Sequence, residues 1–189
     1  TKNKSEYING LLRYYASIKS QHSIYIGDAS DPHHTNQVIP TISSLKNCIN
    51  IVHKQYPEYS KGPMDTGITI KKLLEIVEED YVVFCGDDDY FLPRSLDNCV
   101  DFLETNHDFS SAHGFGTFMR YDENRGASTI SGRYNIFEYQ GNSGSERIKM
   151  LMKNYSVLIF GVQRKEKFMT AYKNIELLTI PLFSELMPV

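Results

Sequence analysis

Tyr81-Val82-Val83-Phe84-Cys85-Gly86-Asp87-Asp88-Asp89 is the stretch on which the reading of this chain turns. Five consecutive apolar or aromatic-apolar residues, Tyr81 to Cys85, predict a strand covered on both faces, as in the middle of a parallel sheet. The strand runs straight into three adjacent aspartates. Three carboxylates at the end of a buried strand repel one another unless a cation sits among them or water solvates the loop. Hard oxygen ligands of this kind suit Mg²⁺ or Mn²⁺ rather than a soft metal, and such sites are commonly completed by water and substrate phosphates. A polar loop capping the next helix accounts for the same residues, because Pro93 opens a helix just downstream and acidic groups favour helix N-termini.

Upstream, the pattern alternates. Ser5 is a candidate cap for a helix carrying Ile8, Leu11, Leu12, Tyr15 and Ile18 at helical spacing. A short strand, Ser23 to Ile26, ends at Gly27-Asp28. Residues 29 to 37 are polar and hold Pro32, which predicts a loop, and Pro40 argues against a long regular helix there. A second strand is expected over Cys48 to His53. A Tyr/Pro/Gly loop from Tyr56 to Pro63 follows, then a helix from Thr66 to Glu79 with Ile70, Leu73, Leu74 and Val77 inward. After Pro93 a helix should bury Leu96, Val100 and Leu103.

The order strand, helix, strand, helix, strand, helix predicts an α/β fold with an open, mostly parallel sheet flanked by helices on both faces. Ligands in such sheets bind beyond the carboxyl ends of the strands. Asp28 and the Asp87 cluster both fall at predicted strand ends, so they can share one cleft. The later half is less regular. Phe109 to Tyr121 predicts one or two strands broken by Gly114 and Gly116, and residues 122 to 132 predict a polar loop. Helices are expected at Ser145 to Lys153 and Lys165 to Asn174, with a strand at Val157 to Val162 between them.

Bulk properties narrow the function. The chain has 189 residues, 41% hydrophobic and 23% charged, which fits one soluble globular domain. A net charge of -3 gives no electrostatic reason to expect nucleic acid. The 13 tyrosines, with no Trp, fit either polar ligand clefts or half-buried core edges. Three widely spaced cysteines, Cys48, Cys85 and Cys99, fit neither a disulfide framework nor a cysteine zinc site, and point to a reducing, cytoplasmic setting. No apolar run is long enough to span a membrane. The absence of an initial Met and the apolar end at Leu186-Met187-Pro188-Val189 suggest a piece of a longer protein, with attachment at the inner face of a membrane open to regions beyond it.

Three segments in order carry a resemblance: residues 1 to 18, then Gly27-Asp28-Ala29-Ser30-Asp31, then Asp87-Asp88-Asp89 followed by Phe91-Leu92-Pro93. Together they resemble family-2-type glycosyltransferases of the GT-A fold, from Thr1 to about Thr105. Thr1 to Lys4 looks like the tail of that family's first segment, so its first strand is expected to be missing. A single domain is expected, with residues 1–106 as the nucleotide-sugar-binding half and 107–189 as a truncated acceptor-side half.

The resemblance implies a metal-dependent, inverting transfer of a sugar from a nucleoside-diphosphate sugar to an acceptor hydroxyl on a glycan or other molecule, with Mg²⁺ or Mn²⁺ as cofactor and polysaccharide biosynthesis as the setting. It implies that Asp28, with Ser30 in the same motif, hydrogen-bonds the nucleotide through its base. Asp87 would face the ribose or donor sugar with Asp88 beside it, and Asp87 and Asp89 would hold the metal. Glu185 stands at about the family's distance for the general base that deprotonates the acceptor hydroxyl, with Glu176 a weaker competitor. Lys61, Arg120 and Arg125 are candidates to reach a diphosphate, and His113 to line the acceptor side. His33-His34, adjacent loop histidines without partners, read as solvated. Two alternatives stay open: a nucleotide-sugar-binding module without turnover, and a phosphoacceptor signalling domain with acidic strand ends.

Overall fold

Helix α1 (Ser5–Ser17) turns Ile8, Leu11, Leu12 and Tyr15 to one side, and all four are buried against Ile26, Val38 and Ile49 in one of two apolar cores. The computed structural model describes residues 1–62, 65–122, 126–134 and 136–175, with residue 127 described by its backbone alone. The predicted cap, Ser5, is instead the first residue of the helix. Its hydroxyl donates to Gln37 Oε1 at 2.5 Å and lies 3.1 Å from His34 Nδ1, which binds α1 to the next helix. His33 Nε2 reaches Gln37 Nε2 at 3.0 Å, so the histidine pair is engaged in this helix contact.

Strand β1 (Ile24–Asp28) pairs in parallel with β2 (Ile51–Gln55), from Ile24 opposite Ile51 to Asp28 opposite Gln55. Between them runs α2 (Pro32–Leu45), where the sequence predicts a loop and a proline break. Two facts reconcile the sequence with a helix. Pro32 occupies the first turn, where a missing N–H costs nothing. Pro40 is exposed, as is Asn36, whose carbonyl it leaves without a helical partner, so water can satisfy that group. Burial of Thr35, Val38 and Thr41 on the opposite face supplies the helix with its reason to form.

Helix α3 (Asp65–Leu74) lies against Tyr172 and Ile175 through Gly67, where an added Cβ would fall 2.7 Å from Ile175 Cγ1. On the same helix, Thr69 Cγ2 and Leu73 approach Gly27 of β1, and a Cβ at Gly27 would lie 2.4 Å from Thr69 Cγ2. The second core gathers Ile70, Leu74, Ile159, Phe168, Tyr172 and Ile175. Strand β3 is short, Tyr81–Val82, and leads through the acidic loop to α4 (Pro93–Thr105), which begins at its proline as predicted. Leu103 is fully buried, whereas Leu96 and Val100 are only half-buried.

The rest of the chain adds β4 (Ser111–Ala112), β5 (Thr117–Asp122), β6 (Ala127–Arg133), α5 (Gly144–Lys153), a 3-10 turn at Leu158–Phe160, β7 (Val162–Arg164) and α6 (Lys165–Tyr172). Strands β5 and β6 form an antiparallel hairpin where a polar loop is predicted after Tyr121. Gly126 takes a left-handed φ of 57° that suits a tight return, and Thr129 and Ile130 favour extended backbone. The strand expected at Val157 starts later, because the 3-10 turn buries Ile159 first.

The mixed α/β architecture agrees with the sequence, but the single open parallel sheet does not emerge as drawn. Among the described residues there are a parallel pair β1-β2, an antiparallel sheet in the order β3-β7-β4, and the hairpin β5-β6. The predicted strand over Tyr81 to Cys85 shortens because only Tyr81 and Val82 find a partner, and that partner, β7, runs antiparallel. Residues 83 to 85 are half-buried rather than enclosed on both faces. No helix among the described residues is long and apolar enough to cross a membrane.

One arginine fastens this second sheet. Arg164 on β7 donates through Nε to Phe109 O at 3.0 Å, through Nη1 to Tyr81 Oη at 2.8 Å, and through Nη2 to Leu103 O at 2.5 Å. It therefore joins β3, the end of α4 and the approach to β4. Replacing it with leucine leaves those acceptors short of donors, and charge-assisted bonds are the strong ones. We expect Arg164→Leu to lower the unfolding free energy by about 1–3 kcal/mol in a urea titration; an unchanged midpoint would show that the fork contributes nothing.

Candidate functional site

The site is built from two loops that leave strand ends and one N-terminal segment that bridges them. Asp28 is the last residue of β1 and is 1% exposed. Its Oδ1 accepts the Ser30 backbone N–H at 2.9 Å, and its Oδ2 accepts Thr35 Oγ1 and His53 Nε2, both at 3.0 Å. An ionised carboxylate only accepts, so the tautomer at His53 carries its proton on Nε2. Burial alone pushes the Asp28 pKa up; the bonds from His53, Ser30 and Thr35 outweigh it and hold the carboxyl well below the usual carboxylate range. Asp28 thus spends its lone pairs inside the fold, tying the end of β1 to α2 and β2.

Ser30, also buried, passes the connection on. Its Oγ accepts the Asn3 N–H at 2.8 Å, and Asn3 exchanges two side-chain bonds with Asp31, Asp31 N to Asn3 Oδ1 at 2.8 Å and Asn3 Nδ2 to Asp31 Oδ2 at 3.0 Å. Asn3 adopts a left-handed φ of 54°, a conformation asparagine tolerates better than most residues. The Thr1 nitrogen donates to Gly27 O at 2.6 Å, and the Ala29 N–H returns a bond to Thr1 O at 2.9 Å.

This anchoring delivers Thr1 and Lys4 to the acidic loop. Thr1 Oγ1 donates to Asp87 Oδ2 at 2.9 Å, and Lys4 Nζ to Asp87 Oδ1 at 3.0 Å; Lys4 Nζ also stands 3.9 Å from Asp88 Oδ2. The three aspartates are therefore not equivalent. The Asp87 side chain is 13% exposed and fully partnered, while that of Asp88 is 57% exposed. Asp89 folds back over Gly86, where an added Cβ would sit 2.5 Å from its Oδ2, so a side chain there would displace the Asp89 carboxylate. Burial pushes the Asp89 pKa up and the nearby Asp88 and Asp87 charges add to it, against a lowering bond from Gly86. Burial likewise pushes the Cys85 thiol up to about 12, with the Asp89, Asp87 and Asp88 charges in support.

Among the described residues no group of three or more His, Cys, Asp or Glu side chains stands close enough to hold a metal ion by itself. The Lys4 ammonium nevertheless sits where a positive charge between Asp87 and Asp88 is stabilised, and a hard cation suits the same oxygens. Beside this loop, Tyr14 lies edge-on to both Tyr15 and Tyr90, with centroids 5.0 and 5.1 Å away. The Tyr15 hydroxyl accepts the Phe91 N–H at 2.8 Å, pinning the loop's exit to α1.

Other candidates lie elsewhere. The Lys61 N–H and the Gly62 N–H both donate to Asp65 Oδ2, which closes the loop that leads into α3. Arg120 is exposed on the hairpin. His113 bonds the carbonyl of its neighbour Gly114. Arg125, Glu176 and Glu185 lie outside the described residues. The sequence reading passed over His53, Thr35 and Lys4. Only Lys4 carried any signal, as the basic residue closing the N-terminal segment.

No protein-family model matches the chain, and no curated protein sequence does. Among solved structures the chain matches the crystal structure of S. aureus TarS 1-349, a glycosyltransferase, with a TM-score of 0.58 and 17% identity over 100% of this chain and 52% of that one. The chain spans about half the length of that structure, and at this identity the likeness is one of fold.

The Asp28 network has a pH signature. A depressed folded pKa contributes stability that is complete above the unfolded value, ordinarily 3.8, and is lost as pH falls below it toward the folded value. We expect Asp28→Asn to lower stability at pH 7 by about 1–3 kcal/mol and to flatten the loss of stability that sets in as pH falls below about 4. Parallel pH profiles for the two proteins in urea melts would show that the carboxylate is not the group responsible.

Proposed function

We propose that this chain is the donor-binding core of a glycosyltransferase, which uses a divalent cation to move a sugar from a nucleoside-diphosphate sugar to an acceptor hydroxyl with inversion. The observation that carries the reading is that the Asp87-Asp88-Asp89 loop and the end of β1 are brought together by Thr1 and Lys4. The fold likeness to TarS, a glycosyltransferase, supports the same class of chemistry.

In this reading Asp87 and Asp89 are the residues that would hold a Mg²⁺ or Mn²⁺ ion, which would supply Lewis-acid stabilisation of a departing nucleoside diphosphate. The chain's own residues do the rest. Asp88, the most exposed of the three, is free to turn to donor hydroxyls. Asp28 and Ser30 act on the nucleotide by shaping the loop that faces it, since their polar groups are engaged within the fold. Tyr90, exposed beside the loop, offers a ring on which a base or sugar can stack. Glu185 is the proposed base for the acceptor hydroxyl.

Calorimetric titration of nucleoside diphosphates and their sugars, with and without Mn²⁺, tests the donor site. We expect metal-dependent binding in the parent and a loss of at least about tenfold in Asp89→Asn, which is roughly 1.4 kcal/mol. Folded protein that binds no nucleotide would overturn the reading. Because the Asp89 pKa is raised, metal-dependent binding should weaken on acidification sooner than an ordinary carboxylate pair would allow.

Lys4 competes with the cation for Asp87. Lys4→Met is therefore expected to tighten Mn²⁺ binding by about two- to fivefold, the scale of a half-exposed ion pair. Weaker binding in that variant would assign Lys4 to the donor phosphates instead.

A further inference from the structure

Strands β5 and β6 stand apart from both apolar cores. Among the described residues between 113 and 155 only Leu151 is buried, and the hairpin pairs with no other described strand. A two-stranded hairpin alone is marginally stable in water, and its edges present unpaired N–H and C=O groups. One face is bare as well. Met119 stands opposite Ile130 across the ladder, with Tyr121 two residues on, and these side chains are 64%, 69% and 63% exposed. No charged side chain of β5 shares that face. Arg120 and Asp122 alternate to the other one, where Phe118 lies against Tyr134 with ring centroids 4.2 Å apart.

The two edges of the hairpin differ. Phe118 stands opposite Gly132 and Met119 opposite Ile130, so Ser131 is an extra residue that bulges β6 and bends its edge. Strand β5, Thr117-Phe118-Met119-Arg120-Tyr121-Asp122, holds no Gly, Pro or Lys and carries no extra residue. Those are the usual devices that keep an edge from pairing. The backbone shows which groups are open. Tyr134 N donates to Gly116 O at 2.9 Å and Ser131 Oγ to Phe118 O at 3.4 Å, so Gly116 and Phe118 turn toward β6. By alternation, Thr117, Met119 and Tyr121 turn their N–H and C=O groups to the open edge.

We propose that this edge is a self-association surface, and that its occupant is β5 of a second copy of this chain, paired antiparallel with Met119 opposite itself across a two-fold axis. Symmetry limits the register, because opposite residues must share a face and one residue must therefore face its own copy. Centring on Arg120 sets two guanidinium groups against each other. Centring on Tyr121 overlaps only the end of the strand. Centring on Met119 overlaps the regular strand from Thr117 to Tyr121 and pairs all of its outward N–H and C=O groups. It also sets Phe118 opposite the second copy's Arg120, a cation–π contact made twice. The bare faces of the two copies then run together as one apolar surface across a four-stranded sheet. Lipid headgroups or nucleic acid would need a cluster of cations on that face, whereas an uncharged face is complementary to itself. The inference is independent of the donor reading, since it concerns association and not nucleotide.

The test is the molar mass of the full chain by sedimentation over a range of concentrations. It compares the parent, Met119→Lys, Met119→Glu and an equimolar mixture of the two variants. The side chain at 119 is largely exposed, so both variants are expected to fold, and matching far-UV spectra check this. We expect a dimer in the parent and a dissociation constant raised by about tenfold or more in each variant, because like charges then stand opposite each other. The mixture should regain the dimer, since an ammonium then faces a carboxylate. A parent that stays monomeric throughout would overturn the proposal and leave the hairpin to a different partner. A dimer that survives both substitutions would overturn it as well. A mixture no more dimeric than its components would overturn the register centred on Met119.

Discussion

A carboxylate placed almost entirely out of water at a strand end must be surrounded by donors, and the requirement at Asp28 organises much of this chain. Its three donors come from the loop after β1, the first turns of α2 and the middle of β2. Satisfying one charge therefore fixes the start of a helix and the docking of a neighbouring strand. The consequence reaches further through Ser30, which holds Asn3, and through Asn3, which sets the course of the N-terminal segment. At the end of that path Lys4 meets Asp87. Two acidic positions far apart in sequence are thus linked by a short relay of hydrogen bonds.

The relay explains why the three neighbouring aspartates differ. Asp87 receives a hydroxyl and an ammonium, Asp88 faces water, and Asp89 is folded against Gly86 with a raised pKa. The sequence made the acidic cluster legible as a place where positive charge is wanted, because repulsion among adjacent carboxylates needs no structure to be recognised. It also made Asp28 visible as a strand-end residue. It hid Asp28's inward orientation, because the donors at Thr35 and His53 become neighbours only when α2 and β2 fold back. Nothing in the spacing of His53 distinguishes it from any other strand histidine.

The fold divides in a similar way. Periodic helices such as α1 and α4 were readable from their apolar faces, and Pro93 marked its helix start. The misreading of α2 came from weighing its prolines without their surroundings: one sits in the first turn and the other on the water side. Strand β5 falls largely within the strand expected over Phe109 to Tyr121, whereas its partner β6 reads as a polar loop because it is mostly exposed and carries no alternation of apolar and polar residues to report a buried face. The run Tyr81 to Cys85 is strand only at Tyr81 and Val82, because pairing depends on what lies beside it and local sequence does not carry that information.

The contact between Gly27 and Thr69 has a consequence for divergence. The two positions lie on different elements and are separated by the whole of α2 and β2, yet the space of one methyl group is shared between them. A side chain at position 27 requires the Thr69 methyl to turn aside or to be removed, as in serine, and the bulk of Leu73 then limits how large it can be. Drift at these sites is therefore expected to be correlated, because the loss of the glycine is easier once the threonine has shrunk. In a set of related chains, position 27 should covary with position 69 and not with its neighbours in sequence, an imprint left by the spacing between a strand and the helix that covers it.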